Sequence, residues 1–161
     1  MASENFESKE YFMSGTERLS REAIHDEIFA MGQKARAAGH SLANLGSAEK
    51  NGILRAMASE IRSRGTAILS ANAKDLEAGR GNGLSNAMLD RLRLDESRLE
   101  AMADGVEQVA RLCDPVGDIL DERERPNGIK IQQIRVPVGV IGIIFESRPN
   151  VTSDAAVLCL K

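Results

Sequence analysis

The segment Val138-Gly-Val-Ile-Gly-Ile-Ile-Phe145 is apolar on both of its alternating faces and rich in β-branched residues. That pattern suits a strand buried inside a parallel sheet, covered above and below. A parallel strand needs a neighbouring strand, and the crossover helix after it normally leads to one. Here Glu146-Ser147-Arg148-Pro149-Asn150 turns the chain, and Thr152 or Ser153 is expected to start a helix containing Ala155, Ala156, Val157, Leu158 and Leu160. The sequence reaches Lys161 inside that helix with no Gly or Asn stop signal and only one candidate core strand, so it reads as an α/β chain cut in mid-unit.

The residues before this unit read differently. Positions 1–20 mix Ser, Glu, Lys and isolated aromatics without helical or strand period and are expected to form a disordered leader. From Ile24, the positions Ile28, Met31, Ala35, Ala38, Leu42 and Leu45 trace one face of a long helix. Ser47 is expected to cap a second helix carrying Ile53, Leu54, Met57, Ala58 and Ile61, and a third runs from Thr66 with Ile68, Leu69, Ala73 and Leu76 inward. Asn72 falls on that inward face, where an internal hydrogen bond is expected. Ser85 and Asp95 are expected to cap two more helices, the second with the stripe Leu99, Met102, Val106, Val109 and Cys113. After Asp114-Pro115 the period changes: Pro126-Asn127-Gly128 makes the turn of a hairpin, with a charged solvated edge at 121–125 and a bulge or twist where the alternation slips at Gln132-Gln133.

Charge and cysteine content narrow the function classes. With 21 basic and 24 acidic residues, net −3, the chain has no broad attraction for nucleic acid or anionic lipid, and small-molecule partners are favoured. No apolar run approaches the roughly 20 residues that cross a bilayer. The first 26 residues carry six acidic and three basic side chains and no apolar core of a secretory signal. Two cysteines, Cys113 and Cys159, and two histidines, His25 and His40, form neither a disulfide framework nor a zinc-ligand pattern. A reducing, cytoplasmic location is the expectation.

Ligands of open α/β sheets bind beyond the carboxyl ends of the strands, where a following helix N-terminus is unpaired. Residues 147–150 occupy that place: Arg148 is a candidate contact for an anionic substrate or cofactor, and the Asn150 amide for a developing oxyanion. The residues alone favour a blander alternative, a tight turn with Glu146 and Arg148 paired at its rim. Cys159, among Val157, Leu158 and Leu160, reads as a buried structural thiol, and Cys113 as a core residue. His25 and His40 read as exposed helical residues. The run Gly79-Arg-Gly-Asn-Gly83 follows a helix rather than a strand, so it reads as a flexible connector and not a phosphate cradle. No carboxylate pair, Ser-His-Asp arrangement, metal cluster or P-loop is visible.

The stretch from Val136 through Glu146-Ser-Arg-Pro-Asn-Val-Thr-Ser-Asp154 to Lys161 resembles the signature of the γ-glutamyl phosphate reductases, also called glutamate-5-semialdehyde dehydrogenases. Ala71-Asn-Ala-Lys-Asp75, Gly83-Leu-Ser-Asn-Ala-Met-Leu-Asp-Arg-Leu92 and Asp114-Pro-Val-Gly117 support it in family order, and the likeness runs from about Ile28 to the last residue. The resemblance implies the aldehyde dehydrogenase superfamily, with residues 21–161 as the N-terminal part of a Rossmann-like cofactor domain, a hairpin arm at about 117–136 used in oligomerisation, and a catalytic domain not included. It further implies reduction of L-glutamyl 5-phosphate by NADPH to L-glutamate 5-semialdehyde and phosphate, in proline biosynthesis. By the same resemblance Asn150 matches the oxyanion asparagine, and Phe145, Glu146, Ser147 and Arg148 match backbone along the cofactor. Neither cysteine matches the family's nucleophile, which comes later in the catalytic domain, so the isolated chain is expected to be inactive. A sibling dehydrogenase of the superfamily is disfavoured by the Glu146–Asn150 turn, and a non-catalytic fragment docking onto reductase subunits or another partner is the alternative.

Overall fold

The computed structural model describes residues 20–146 and 148–161. The expected leader at 1–19 lies outside them, whereas Ser20 is ordered as a cap: its hydroxyl accepts the Ala23 N–H at 3.1 Å and opens α1, Arg21–Leu42. Next come α2 (Ser47–Ser63), α3 (Gly65–Gly81), α4 (Asn86–Leu92) and α5 (Glu96–Arg111). The strands β1 (Ile119–Glu124) and β2 (Lys130–Ile134) and a last helix, α6 (Asn150–Leu160), follow. No helix among the described residues is long and apolar enough to cross a membrane.

The core lies where α2, α5 and α6 meet. Leu54 and Ala58 of α2, Ala103, Val106 and Ala110 of α5, and Val157 of α6 form one buried cluster, flanked by Met57, Ile61, Val109 and Leu160. Three alanines in that seam let α2 and α5 approach closely, since the distance between helix axes is set by the side chains at the contact. Arg62 ties the rim of the same pair, reaching Glu100 at 2.7 Å, Asp104 at 2.8 Å and Glu107 at 2.5 Å. Asn72 does what its inward position requires: its amide donates to Leu92 O and its oxygen accepts from Leu94 N–H, each at 2.8 Å. One buried side chain thus holds the α4–α5 connection against α3.

Several expectations are corrected here. Gly46, not Ser47, is the N-cap of α2, with the Glu49 carboxylate accepting the Gly46 N–H at 2.9 Å. Gly79 and Gly81 belong to the last turn of α3 rather than to a connector, and a Cβ on Gly79 would meet Leu84 Cδ1 at 3.0 Å and Leu89 Cδ2 at 3.2 Å. Close packing, rather than flexibility, requires glycine at that position. Cys113 is exposed rather than in the core, because α5 ends at Arg111 and its stripe stops before reaching it. Cys159 is exposed as well. The long face of α1 forms as expected, yet the helix buries no residue, and Ile28, Phe29 and Met31 stay more than half exposed.

The hairpin forms at the expected place. Arg125 N–H donates to Ile129 O at 2.9 Å across the Pro126-Asn127-Gly128 turn, and Gly128 takes φ +82°, a conformation that suits glycine. Ile119 pairs with Ile134 and Asp121 with Gln133, so the irregularity falls on β1 around Leu120, opposite the predicted slip. The ladder is continued toward the base by Gly117 N–H to Arg135 O and Arg135 N–H to Asp118 O, both 2.9 Å.

The largest departure concerns the segment from Val138 to Phe145. It forms no strand; it is irregular and exposed, with Val138 88% and Ile144 fully accessible. The only sheet among the described residues is the antiparallel hairpin. A strand exists through the ladder it makes with another, and no described residue supplies a second parallel strand here. The architecture is therefore mixed, mainly helical with a two-stranded antiparallel sheet, and the Rossmann-like sheet is not formed among the described residues.

Candidate functional site

A cleft of about 440 Å³ opens between the end of α4, the start of α5 and the N-terminus of α6. Its walls are built by local rules. Ser85 caps α4 through the Met88 N–H at 3.4 Å, and Asp95 caps α5 through the Arg98 N–H at 2.8 Å. Arg98 then turns back to donate to Asp90 O at 2.5 Å, Arg93 O at 2.8 Å and the Asp90 carboxylate at 3.1 Å. Arg98 thereby satisfies two of the carbonyls around the C-terminal end of α4, and Asn72 a third, Leu92 O. Arg93 also binds the Asp90 carboxylate, at 2.8 Å.

On the facing wall, Pro149 (φ −63°) leads directly into α6, so the helix starts at Asn150 rather than at Thr152 or Ser153. The Asn150 amide donates to Asp154 Oδ2 at 2.9 Å, one turn further on, and Ser153 Oγ donates to Asn150 O at 2.8 Å. An amide nitrogen carries two N–H groups, so the Asp154 contact orients Asn150 and leaves one donor available. Arg148 and Asn150 line this cleft together. Phe145, Glu146 and Arg148 line an adjoining one of about 290 Å³ with Arg91 and Val151. Ser147 lies outside the described residues. Glu146 and Arg148 form no ion pair with each other, contrary to the blander reading of the turn.

The other singled-out residues lie elsewhere. Neither Cys113 nor Cys159 lines the cleft. His25 is exposed, stacked at 6.2 Å on Phe29 and 3.2 Å from Asp26, and His40 is exposed on the same helix. No group of His, Cys, Asp or Glu suited to a metal ion occurs among the described residues.

One cluster was not legible beforehand. Lys50 Nζ lies 2.9 Å from Asp114 Oδ2, both side chains only 7% exposed. Ser47 Oγ also donates to Asp114 at 3.2 Å, and Val116 N–H donates to it at 3.0 Å. Burial pushes the Asp114 carboxyl up, but the donors from Lys50, Val116 and Ser47 outweigh it and hold its pKa below the usual range. Lys50 donates as well to Lys161 O at 3.2 Å, and Lys161 Nζ to Asn51 at 2.5 Å, so the root of the hairpin, α2 and the end of α6 meet at this pair. The Asp114-Pro-Val-Gly117 motif was its only sequence signal.

Comparison with known proteins finds the same arrangement in part of the γ-glutamyl phosphate reductases. The crystal structure of γ-glutamyl phosphate reductase from Thermotoga maritima superposes with a TM-score of 0.82 at 40% identity, over 84% of this chain and 33% of that one. The Saccharomyces cerevisiae structure of the same name gives 0.78 at 34% identity, over 81% and 33%. In sequence, γ-glutamyl phosphate reductases of Rhodospirillum rubrum and Paramagnetospirillum magneticum are 50% and 61% identical over 92% and 81% of the chain. The chain is thus homologous to the N-terminal portion of the γ-glutamyl phosphate reductases, and it spans about a third of the length of the relatives it matches. No protein-family model matches it.

Proposed function

We propose that the chain contributes the N-terminal part of an NADPH-dependent reductase that converts L-glutamyl 5-phosphate to L-glutamate 5-semialdehyde and phosphate, in cytoplasmic proline biosynthesis. The observation that carries this is the Asn150 amide, set at the first turn of α6 by Asp154 and facing an arginine-lined cleft. The free N–H of Asn150 is suited to donate to the acyl oxygen as negative charge develops on it, and the helix N-terminus adds to the field. Phe145 offers an aromatic face in the adjoining cleft, compatible with the ring of a nicotinamide cofactor. That cofactor, when bound, supplies the hydride. Cys113 and Cys159 both lie off the cleft, which supports an attacking thiol from outside residues 1–161 and an expectation that these residues alone do not turn over. The hairpin, exposed along both strands except at Asp121, suits a homo-oligomer contact.

The test is to mix the purified chain with the separately expressed remaining two-thirds of a relative and follow NADP reduction by glutamate semialdehyde and phosphate. Turnover is expected from the mixture and from neither part. Asn150→Ala is expected to lower the reconstituted kcat by about 100-fold or more. Turnover by the chain alone, or an Asn150→Ala mixture as active as the parent, overturns the assignment.

The exposed apolar segment from Val138 to Phe145 favours a second reading, a non-catalytic fragment that docks on intact reductase subunits. Co-purification with a full-length relative whose activity it leaves unchanged supports that reading over the first.

A further inference from the structure

We propose that Arg91, in the last turn of α4, and Arg148, beside α6, together form the subsite for the phosphate group of the acyl phosphate, an inference that rests on the reductase reading above. The two residues belong to motifs far apart in sequence, and the fold brings them to the walls of the same two adjoining clefts. The larger cleft collects four arginines against two aspartates. Those aspartates are already engaged. Asp90 is shared by Arg93 and Arg98, and Asp154 holds the Asn150 amide. Arg91 and Arg148 have no carboxylate or carbonyl partner among the described residues.

A cation in the last turn of a helix ordinarily serves the unpaired carbonyls there. On α4 that work is done by Arg98, bonded to Asp90 O and Arg93 O, so Arg91 is left over. Glu146 lines the smaller cleft with both arginines but bonds to neither, so two guanidinium groups face one carboxylate there and a net positive charge is left for an anion. Arginine forks match the oxygens of a phosphate, and Arg148 lines the same cleft as the Asn150 amide proposed to face the acyl oxygen, to which that phosphate is attached. Arg91 thereby becomes a substrate-binding residue, and its charge favours departure of phosphate as a dianion.

The test uses the ¹⁵N-labelled 161-residue chain, titrated at constant ionic strength with inorganic phosphate and, separately, with L-glutamate. Phosphate is expected to give saturable shifts of the Val151 and Thr152 amides, and Arg91→Gln to weaken that binding roughly tenfold. Arg91→Lys, which keeps the charge and loses the fork, is expected to weaken it about threefold. Unchanged signals from Leu54 and Val106 show that the variants are folded. Absence of a saturable phosphate response, or equal phosphate affinity in Arg91→Gln, overturns the proposal, and a response to glutamate alone overturns it by assigning the subsite to a carboxylate. Binding lost in Arg91→Gln without turnover in the mixing experiment rejects the reductase reading and keeps the subsite. Turnover with undiminished phosphate binding by Arg91→Gln does the reverse.

Discussion

Asp114 carries a buried charge that several parts of the chain share. Its carboxylate is buried against Lys50 and gathers the Ser47 hydroxyl and Val116 N–H, so three parts of the chain depend on one charge. Asp114→Asn leaves Lys50 buried without a counter-charge and is expected to cost about 3 kcal/mol in urea unfolding. The pH dependence has a defined sign. The folded carboxyl ionises below the unfolded value of about 4, so the folded state binds that proton more weakly. The contribution is complete above the unfolded pKa and is lost as pH falls through the folded one. The stability gap between the parent and Asp114→Asn is therefore expected to be constant near neutrality and to narrow below about pH 4. A gap that does not change with pH would show that Asp114 acts by packing alone.

At the scale of elements, helices that share a core differ from those that do not. Leu54, Val106 and Val157 are essentially inaccessible, whereas α1 buries no residue at all. Short helices are marginal without tertiary packing, and a 22-residue helix without buried contacts depends on its own hydrogen bonds and the Ser20 cap. Amides of α1 are expected to exchange with solvent through local opening, far faster than those of α5, whose exchange follows global unfolding. Native-state hydrogen exchange in rising urea decides this: equal protection of α1 and α5 would contradict it. The hairpin likewise lies outside the core, and its charged edge at 121–125 is solvated as its composition required.

For the molecule as a whole, the apolar run from Val138 to Phe145 is the feature out of balance. Buried, such side chains stabilise a fold by about 1.5–3 kcal/mol each, and here they face solvent. Ile144→Asp, at a fully exposed position, is expected to change stability by less than about 0.5 kcal/mol while reducing self-association in light scattering. A large loss of stability from this change would mean that the segment already packs on the rest of the chain.

Local chemistry was legible from the residues themselves. The caps at Ser85 and Asp95, the Pro126-Asn-Gly turn, the stripe of α5 as far as Val109 and the internal bonds of Asn72 all depend on neighbours within a few positions or on a single face, and they formed as expected. Of the turn that the sequence singled out, Arg148, Pro149 and Asn150 lie on one wall of the cleft. What the sequence could not express is pairing between distant positions. Lys50 with Asp114 and Arg91 with Arg148 become neighbours only when α2 packs on α5 and α6 closes on the α4–α5 corner. The same physics separates the two fates of apolar residues: Val157 is buried because α5 lies beside it, while Val138 to Phe145, with the stronger strand pattern, stays open because a ladder needs a second strand. Periodicity and capping decided which segments are helices; tertiary contacts decided which of them have a core, and which cations are left free to meet an anion.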